Sequence, residues 1–536
     1  MKQGLHLLDY VVFFIYFIAV SSYGFWIYKK KSSNESSSTD YFLAEGSLTF
    51  WAIGASLIAS NISAEHFIGM SGSGFAIGLA IASYEWMAAA TLVVVAIFFV
   101  PIYLKNKIYT MPQFLRQRYN PVVATTMAVF WLLLYVFVNL TSILYLGALA
   151  LEVTAGIDFT WAIGALAVFA VIITVGGMKV IGYTDVIQVV VLIAGGLVTT
   201  YLAMDLVAKQ FGNPNVFSAF STLKAQAEPH FHMILKKDNP YYKDLPGLSV
   251  IIGAMWINNL NYFGCNQYII QRTLGASLPT ARKGLLFAAG LKLIIPIIVV
   301  IPGIAAYVLF QNGMFQTEML DVNGVVKPDH AYPVLLDLLP SGLKGMAFAA
   351  LTAAIVASLA GKANSISTIF TLDIYREYIK PDATEKHLIR VGRYAIWISM
   401  GIAALIAPQL RVLEQAYQFI QEYSSFITPG VFAIFFLGFF WKRTTGNAAL
   451  VAALLTIPLS TAFKFWYEEI PFLNRMGIIF LILVAVIVVV TLLDPKSKNN
   501  PKGLEIDRSM FKVSTGFMIT SILIFGILGA LYSVFW

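Results

Sequence analysis

The feature that most restricts the fold of this 536-residue chain is a series of long apolar runs. An α-helix needs ~20 residues to cross the hydrocarbon of a bilayer, and a chain in lipid must satisfy its own backbone hydrogen bonds. The runs therefore predict an all-α, polytopic membrane protein of about fourteen transmembrane helices. They lie near residues 7–28, 48–71, 77–104, 121–152, 159–175, 180–204, 247–269, 284–311, 342–370, 388–408, 413–441, 446–466, 475–493 and 513–535.

The composition excludes several other classes of protein. A mean hydropathy of +0.76 and a charged fraction of only 12% exclude a soluble globular chain. The net charge of +8 predicts no nucleic-acid partner, because the basic residues lie in short connections between the runs. The single cysteine, Cys265, allows no intrachain disulfide. No convincing zinc, phosphate-loop or Ser/His/Asp pattern indicates an enzyme.

The positions of the basic residues predict the side of the membrane that each connection faces. Cytoplasmic connections collect Lys and Arg, so the lysines at 29–31 place the end of the first run inside. The opposite connection at 153–158 carries neither residue type. Both termini and the long segments 205–246 and 312–340 are then predicted to lie outside a plasma or inner cell membrane. The further residues assigned to the inner side are Lys105, Lys107, Arg116, Arg118, Arg272, Arg282, Lys283, Arg376, Lys380, Lys442, Arg443, Lys496 and Lys498.

Polar residues interrupt the second run, WAIGASLIASNISAEHFIGM at 51–70. Asn61, Ser63, Glu65 and His66 fall within six residues, and each polar group without a partner in hydrocarbon costs ~2–7 kcal/mol. A helix broken near the membrane midplane accommodates them, because its freed carbonyls and amides line a polar cavity that binds solutes and ions. A re-entrant loop packed without a ligand is the alternative. Ionisable residues within a membrane favour the functional interpretation.

A second polar interruption, NNLNYFGCN at 258–266, lies five runs after the first. Interruptions at matching places in two halves of a chain indicate an inverted repeat. The binding site of such a protein lies where the two breaks meet. The sequence therefore predicts a solute site between these two segments.

Other ionisable and polar residues also lie at membrane depth. Glu85 needs a counter-charge or a ligand, and this need favours a site role for Lys292. The alternative for Lys292 is to extend its stem to the inner interface. Asp185 is equally consistent with a site residue and with a residue at a solvated helix end. Lys362 and Gln421 lie inside two later runs.

The residue types around the two interruptions suit a ligand that is rich in hydroxyl groups. Amides, a carboxylate, a histidine and a lysine together donate and accept hydrogen bonds, as a hydroxyl requires. Tyr84, Tyr262, Phe263 and Tyr417 are more often packing residues, although a flat ring also stacks on a sugar. A simple anion favours clustered cations, and a cation favours more carboxylates. The pattern favours a sugar or another polyol.

Five stretches of sequence, taken together in this order, are specific enough to indicate a protein family. They are NISAEHFIGMSGSGFAIGLAIASYEW (61–86), GYTDVIQ, NQYIIQRTL (266–274), NSISTIFTLDIYREY (364–378) and FIQEY. They closely resemble the sodium:solute symporter family, and in particular its sodium/galactose and sodium/glucose symporters. The resemblance covers about 40–445 and implies a LeuT-type five-plus-five inverted repeat with one extra helix before it and three after it. The implied divisions are 1–47 (extra helix and loop), 48–204 (core helices one to five), 205–246 (external loop), 247–441 (core helices six to ten) and 442–536 (C-terminal helices).

The resemblance also implies roles for individual residues. The positions that match the sugar hydrogen-bonding residues of the family are Asn61, His66, Glu85, Asn259, Lys292 and Gln421. Tyr262 matches the inner gate that stacks on the sugar. The outer lid corresponds to Met70, Tyr84 and Tyr417.

The same resemblance implies that sodium is co-transported. The implied ligands are the carbonyls of Ala59, Ile62 and Ala354 and the hydroxyl of Ser358, since a hard cation needs several converging oxygens. Ala357 lacks the second hydroxyl that relatives place beside Ser358. Ala360 and Gly361 lack the hydroxyls of a second sodium site, so two-sodium coupling is not expected. Lys362 follows these positions and is a candidate to pair with Asp185, with snorkelling to the inner interface as the alternative.

These observations predict sodium-coupled symport of a galactose-like or glucose-like monosaccharide by alternating access. The expected partners of the protein are the sugar, sodium and the lipid bilayer. The alternatives are a symporter for inositol or sialic acid and, less favoured, an uncoupled sugar channel or sensor. The sequence ends at Trp536 within its last run, which predicts no signalling domain.

Overall fold

The computed structural model describes residues 5–31, 49–108, 110–176, 179–321, 323–504 and 506–536. These residues are mostly helical and form no strand, apart from an isolated bridge between Leu320 and Val326. In the described ranges, nine helices are long and apolar enough to cross a membrane, or ten if one bent pair is counted as a single span. The expected all-α, multi-pass membrane protein is confirmed.

The helices follow the predicted apolar runs along the chain. Up to residue 311 the α-helices are Leu7–Lys31, Phe50–Asn61, Ser71–Ala76, Ser83–Val94, Val100–Lys105, Met111–Arg118, Pro121–Leu133, Thr141–Ala155, Phe159–Gly176, Lys179–Gln210, Val216–Gln226, Leu248–Ile252, Ala254–Gly264, Gln267–Leu274 and Leu278–Gln311. After it they are Ala331–Leu336, Leu343–Thr368, Glu385–Ile406, Ala416–Ser424, Thr428–Phe440, Gly446–Trp466, Phe472–Leu493 and Thr515–Val534. Wider π-helical turns occupy Glu65–Met70, Val95–Phe99, Leu134–Leu140 and Ile369–Ile379.

The first polar interruption breaks its helix as the sequence predicts. The Ile62 N–H still bonds back to Ile58 O at 2.7 Å, but the Glu65 N–H bonds to Ser63 Oγ at 3.2 Å and the His66 N–H to Ser63 O at 3.0 Å. The chain then continues as the π-helical turns and the helix Ser71–Ala76. Local side-chain and backbone oxygens therefore replace the regular helical ladder at the break.

The second interruption coincides only in part with the predicted segment 258–266. The polar run stays helical through Ala254–Gly264, and the chain breaks before it at Gly253 and after it at Cys265 and Asn266. The physical reason is that two amide nitrogens of this run have acceptors on neighbouring helices. Asn258 Nδ2 donates to Gln421 Oε1 at 3.3 Å, and Asn261 Nδ2 is 3.4 Å from Thr428 Oγ1. Side chains that bond to a neighbouring helix do not require their own helix to unwind.

A third bend, which was not expected from the sequence, lies in the predicted apolar run 413–441. The helices Ala416–Ser424 and Thr428–Phe440 meet at 46°. Pro429, at the start of the second helix, cannot donate a backbone hydrogen bond to the first. The shorter helix carries Tyr417 and Gln421.

The helix Leu278–Gln311 is the centre of the packing. It contacts both halves of the broken segment, Phe50–Asn61 and Ser71–Ala76, and also the helix Ser83–Val94. Gly303 permits this approach, because a Cβ at this residue would lie 2.1 Å from Ser71 O. The helix thereby brings its own polar residue, Lys292, next to the break.

Two sets of contacts mark opposite ends of the helical bundle. At one end, Arg116 pairs with Asp373 at 3.3 Å, and Arg282 Nη1 donates to Lys512 O at 2.7 Å. At the other end, Asp9 Oδ1 accepts hydrogen bonds from the backbone N–H groups of Gly342 at 2.6 Å and Gly345 at 3.1 Å, and His232 Nδ1 is 2.7 Å from Trp536 O. Asp9 and Trp536 therefore lie at the end of the bundle that carries the segments 205–246 and 312–340.

Candidate solute and ion site

A buried ion pair between two helices forms the centre of the site. Lys292, on Leu278–Gln311, is fully buried, and its Nζ donates to Glu85 Oε2 at 2.6 Å. The same nitrogen donates to Asn61 Oδ1, at the end of Phe50–Asn61. A buried ammonium without partners is costly, and these two acceptors hold Lys292 inside the bundle rather than at the membrane surface.

His66 extends this cluster and leaves polar atoms without partners. Its Nε2 is 3.4 Å from Glu85 Oε1. Its other ring nitrogen, Nδ1, and the Tyr84 hydroxyl are buried and have no hydrogen-bond partner among the described residues. Buried polar atoms are almost always bonded in native proteins. A ligand that carries hydroxyl groups fits here, because a hydroxyl serves a donor and an acceptor alike.

Residues of the helix Ala254–Gly264 also contact the cluster. Asn61 Nδ2 donates to the hydroxyl of Tyr262 at 3.2 Å. Asn259 Nδ2 is 3.5 Å from Tyr84 O. The first break and the predicted inner-gate tyrosine are thus in direct contact, although their sequence positions are 201 residues apart.

Gln421 lies at the edge of the cluster. It accepts a hydrogen bond from Asn258, and it has no described contact with the central ion pair. The next residue, Glu422, accepts hydrogen bonds from Lys464 Nζ and Arg475 Nη2, each at 2.6 Å. These two cations come from the helices Gly446–Trp466 and Phe472–Leu493, so the C-terminal helices hold the half-helix that carries Gln421.

Two of the three predicted lid residues, Tyr84 and Tyr417, are in contact beside the cluster. Met70, Tyr84 and Tyr417 are all buried. The rings of Tyr84 and Tyr417 pack edge to face with centroids 5.3 Å apart, and the His66 ring is 6.3 Å from that of Tyr417. The lid is therefore closed over the site on this side.

The residues predicted to bind sodium lie on two neighbouring helices. Across the described chain, no backbone N–H donates to the carbonyl of Ala59 or of Ile62, because the helix ends there. Ala354 and Ser358 are buried on Leu343–Thr368, which packs against the broken helix. Carbonyls that are free of backbone bonds, with a hydroxyl on the adjacent helix, are the oxygen types that a hard cation prefers.

Lys362 is buried one helical turn after Ser358. Its Nζ donates to Asn139 Oδ1 at 3.3 Å and lies over the rings of Tyr135 and Tyr268, 5.1 Å and 4.9 Å from their centroids. Cation–π contacts and an amide oxygen hold the ammonium inside the bundle, so Lys362 does not snorkel to the interface. The Asp185 side chain, the predicted partner, lies outside the described residues.

The residues around Lys362 were not predicted from the sequence. Asn139 is a polar residue inside an apolar run, so a signal for it was present. Tyr135 and Tyr268 look like ordinary packing aromatics in the sequence. Tyr135 also donates to Asn266 Oδ1 at 2.9 Å, which links this pocket to the break after the sixth core helix.

Comparison with known proteins decides the family. The sodium:solute symporter family matches residues 41–456, which include the ion pair, both breaks and the lid. The chain belongs to the sodium:solute symporter family.

Two relatives of this symporter are named as sodium cotransporters. The sodium/glucose cotransporter of Vibrio parahaemolyticus is 47% identical over 542 aligned residues, which cover 100% of this chain and 99% of the relative. The Homo sapiens sodium/myo-inositol cotransporter 2 is 33% identical, with 87% of this chain and 72% of the relative covered. The family and both relatives are transporters.

Solved structures of symporters share the fold. A Na⁺-coupled sialic acid symporter in a substrate-bound outward-open state has a TM-score of 0.76 at 23% identity, with 91% of this chain and 98% of that chain covered. Mhp1, a nucleobase-cation-symport-1 family transporter, has a TM-score of 0.52 at 14% identity, with 90% and 97% covered. The fold is therefore that of a multi-pass secondary transporter.

Proposed function

We propose that this symporter moves a glucose-like or galactose-like monosaccharide across the membrane together with sodium, by alternating access. The observation that carries the proposal is the buried cluster of Lys292, Glu85, Asn61 and His66 beside the first break. Such a cluster offers donors and acceptors together, as a ring with several hydroxyl groups requires. The 47% identity with a sodium/glucose cotransporter supports the same solute class.

The proposed architecture has fourteen transmembrane helices. Two inverted repeats of five helices, 48–204 and 247–441, would be preceded by the extra helix of 1–47 and followed by three helices in 442–536. The external loop 205–246 would connect the repeats. The broken segment that starts the first repeat and the interrupted one that starts the second support this division.

The proposed location is a plasma or inner cell membrane, with both termini outside. The basic residues supply the argument, since Arg116 and Arg282 lie at the end of the bundle opposite Asp9 and Trp536. Cytoplasmic connections collect such residues.

Each site residue has a proposed role in binding the sugar. Hydroxyl groups would bond to the four residues of the central cluster and to Asn259 and Gln421. Tyr262 would stack on the sugar from the inner side. Met70, Tyr84 and Tyr417 would cover it from the outer side. Sodium bound at the first break would stabilise the outward-facing arrangement, and closure of the lid over the sugar would precede inward opening.

The proposed sodium ligands are the carbonyls of Ala59, Ile62 and Ala354 and the hydroxyl of Ser358. The change Ser358→Ala removes the side-chain oxygen and should raise the sodium concentration for half-maximal uptake by about tenfold or more. The change Ala357→Ser adds an oxygen and should lower that concentration. Sodium titration of uptake measures both, and unchanged values in both variants would place the ion elsewhere.

Lys362 is proposed to stand in for a second cation. It lies one position after Gly361, where the family resemblance implies that a second sodium site would need a hydroxyl, and it would neutralise Asp185 without an ion. A Cβ on Gly361 would lie 2.7 Å from the Tyr268 ring, so this ring occupies the space of the missing side chain. The proposed stoichiometry is one sodium per sugar.

Uptake by purified protein in proteoliposomes tests the function. We expect an inward sodium gradient to concentrate radiolabelled galactose or glucose, and counterflow to persist at equal sodium on both sides. Glu85→Ala and Gln421→Ala should abolish concentrative uptake while the proteins remain folded in detergent. Sugar entry that does not depend on the sodium gradient would instead indicate a channel. Sugar binding without sugar entry would indicate a sensor.

A second candidate solute is a cyclic polyol or a carboxylated sugar. The 33% identity with the human sodium/myo-inositol cotransporter 2 favours an inositol, whose ring carries hydroxyl groups of the same chemistry. Competition by unlabelled myo-inositol and sialic acid against labelled galactose in the same proteoliposomes ranks these solutes. The strongest competitor that is itself concentrated by the sodium gradient identifies the solute.

A further inference from the structure

A carboxylate outside the solute and sodium sites is buried without full hydrogen bonding. Asp329 belongs to the long segment 312–340, in the short 3₁₀ turn Pro328–His330, and is only 1% exposed. Its Oδ2 accepts a hydrogen bond from the Ala416 N–H at 3.1 Å. Its Oδ1 is buried and has no hydrogen-bond partner in the described part of the chain. An ionised carboxylate in such a place is unfavourable.

Asp329 lies between the two segments that carry the lid. Ala416 begins the half-helix of Tyr417. On the other side, Gly72 follows the lid residue Met70 by two positions, and a Cβ on Gly72 would lie 2.5 Å from Asp329 Oδ1. Closure of the lid therefore requires that both segments pack onto this carboxyl group.

The charged groups around Asp329 have other partners. Lys327 Nζ donates to Arg411 O and Leu413 O, each at 3.1 Å, and lies 4.0 Å from Asp321. The Arg411 guanidinium bonds to Glu152. The lysine is close enough to act on Asp329 through its charge, but it does not bond to it.

The remaining titratable groups on the packed elements do not neutralise Asp329 either. The helix Thr141–Ala155 presents the Tyr145 hydroxyl and Glu152, and the π-helical turns carry Glu65 and His66. His66 is directed to Glu85. The neighbouring His330 places its Nδ1 3.0 Å from Glu318 O.

The protonation of Asp329 depends on the burial that the closed lid imposes. Burial raises the pKa of its carboxyl group to about 7, against the Ala416 hydrogen bond and the Lys327 charge, which lower it. When the lid opens and water reaches the group, its pKa returns towards the usual ~3.9. The carboxyl group therefore holds a proton more tightly in the closed arrangement than in the open one.

We propose that closure of the outer lid binds one proton at Asp329, so that external protons favour the closed state. The proposal presupposes the alternating access described above, but not the identity of the solute. The sign follows from linkage: a group with a raised pKa in the closed state stabilises closure when it is protonated. The closed state is stabilised relative to the open state as external pH falls below about 7. It amounts to at most about tenfold in the closing equilibrium per unit of pH.

The test measures how often the lid opens to the outside of intact cells. Met70→Cys places a thiol that is buried when the lid is closed, and the only native cysteine, Cys265, is also buried. Val325→Cys places a thiol on an exposed part of segment 312–340 and reports the reactivity of the reagent alone. The ratio of their labelling rates with a membrane-impermeant thiol reagent, at constant sodium and without sugar, measures opening.

We expect this ratio to rise about 30-fold between external pH 5.5 and 8.5, because deprotonation disfavours closure. In Asp329→Asn, which mimics the protonated group, the ratio should stay low and change little with pH. The matched control is Glu318→Gln, an exposed carboxylate of the same segment, which should follow the wild type. A ratio that is flat in the wild type, or that titrates equally in Asp329→Asn, overturns the proposal.

A second variant keeps the test decisive if Asp329→Asn does not fold. Lys327→Met removes the nearby positive charge that opposes the raised pKa. The inflection in the labelling ratio should therefore move to higher pH. An inflection that stays in place counts against Asp329. Labelling needs no sugar, so failure of the uptake assay with a normal titration would refute the proposed solute and leave the proton site intact.

Discussion

The pairing of Lys292 with Glu85 shows how one buried charge determines the position of another. Glu85 at membrane depth required a partner, and this requirement made Lys292 predictable from the sequence. The surroundings of Lys362 were not predictable in the same way. Its ammonium is held by two tyrosine rings and an amide from distant parts of the chain. In an apolar sequence, aromatic residues that contact a cation cannot be distinguished from aromatic residues that only pack.

At the residue scale we first predict the effect of Lys292→Met. It leaves the Glu85 carboxylate buried without its cation, so the free energy of unfolding should fall by about 3–5 kcal/mol. Adding Glu85→Gln removes the stranded charge and should restore most of this loss, while sugar uptake stays absent. Thermal unfolding in detergent and uptake in proteoliposomes measure the two effects.

The matched control is Lys344→Met, which removes another buried lysine. Lys344 pairs with a partly exposed carboxylate, Asp337, at 2.6 Å, away from the solute site. Its loss should cost less stability and leave uptake intact. If the double change at Lys292 and Glu85 is no more stable than Lys292→Met, the pair does not govern stability.

A second prediction concerns Lys362 and the stoichiometry of transport. The reversal potential of the wild type should indicate one sodium per sugar. The change Lys362→Ala should impair transport, and adding Asp185→Asn should rescue part of it, because the double variant lacks both charges. A double variant that performs no better than Lys362→Ala would exclude the pairing.

At the scale of elements, the three interruptions differed in how predictable they were. The first was evident because four polar residues fall within one turn and a half of helix. The second coincided with its predicted segment only at Cys265 and Asn266, since the Nδ2 groups of Asn258 and Asn261 bond to neighbouring helices without unwinding their own. The third, before Pro429, was missed although a proline within an apolar run is a signal for a bend. Tertiary contacts, which the sequence does not display, decide where a polar run unwinds.

The link between the N-terminal helix and the helix Leu343–Thr368 leads to a third prediction. Asp9 Oδ1 accepts the N–H groups of Gly342 and Gly345, which otherwise have no acceptor at a helix start. Asp9→Ala should lower the free energy of unfolding by about 1–2 kcal/mol. It should also raise the half-maximal sodium concentration, because Ser358 lies on the loosened helix.

The control for Asp9 is an equivalent cap elsewhere. Asp158 Oδ1 accepts hydrogen bonds from the N–H groups of Thr160 and Trp161 at an exposed helix start. Asp158→Ala should cost a similar stability without changing the sodium dependence. Equal shifts in sodium dependence for both variants would mean that the N-terminal helix has no specific influence on the ion site.

At the scale of the whole molecule, the sequence predicted the class of fold but not a simple count of spans. Phe50–Asn61 has only 12 residues, and by itself it is too short to cross a membrane. The span is completed by the π-helical turns and the helix that follow the break. The apolar runs 48–71 and 413–441 are both broken and do not form one long helix each, and the break in the first run is where the polar groups of the site lie.

Orientation in the membrane gives the fourth prediction. Phe217, in the segment 205–246, is 91% exposed, and Lys498 is exposed at the opposite end of the bundle. Phe217→Cys should react with an impermeant thiol reagent in intact cells, whereas Lys498→Cys should react only after permeabilisation. The buried Cys265 of the wild type supplies the background. The reverse labelling pattern would invert the proposed topology.

The central cluster has a consequence for selectivity. Lys292 bonds to Glu85 and Asn61 within the protein itself, so a sugar hydroxyl that reaches Lys292 exchanges one contact for another instead of adding one. Exchange yields little net affinity, but a sugar that lacks a hydroxyl leaves a cluster member unpaired at a cost of about 1–3 kcal/mol. A series of deoxy sugars would measure this discrimination. We therefore expect a symporter with low affinity and high selectivity for its sugar. Low affinity suits a protein that must release the sugar after each transport cycle.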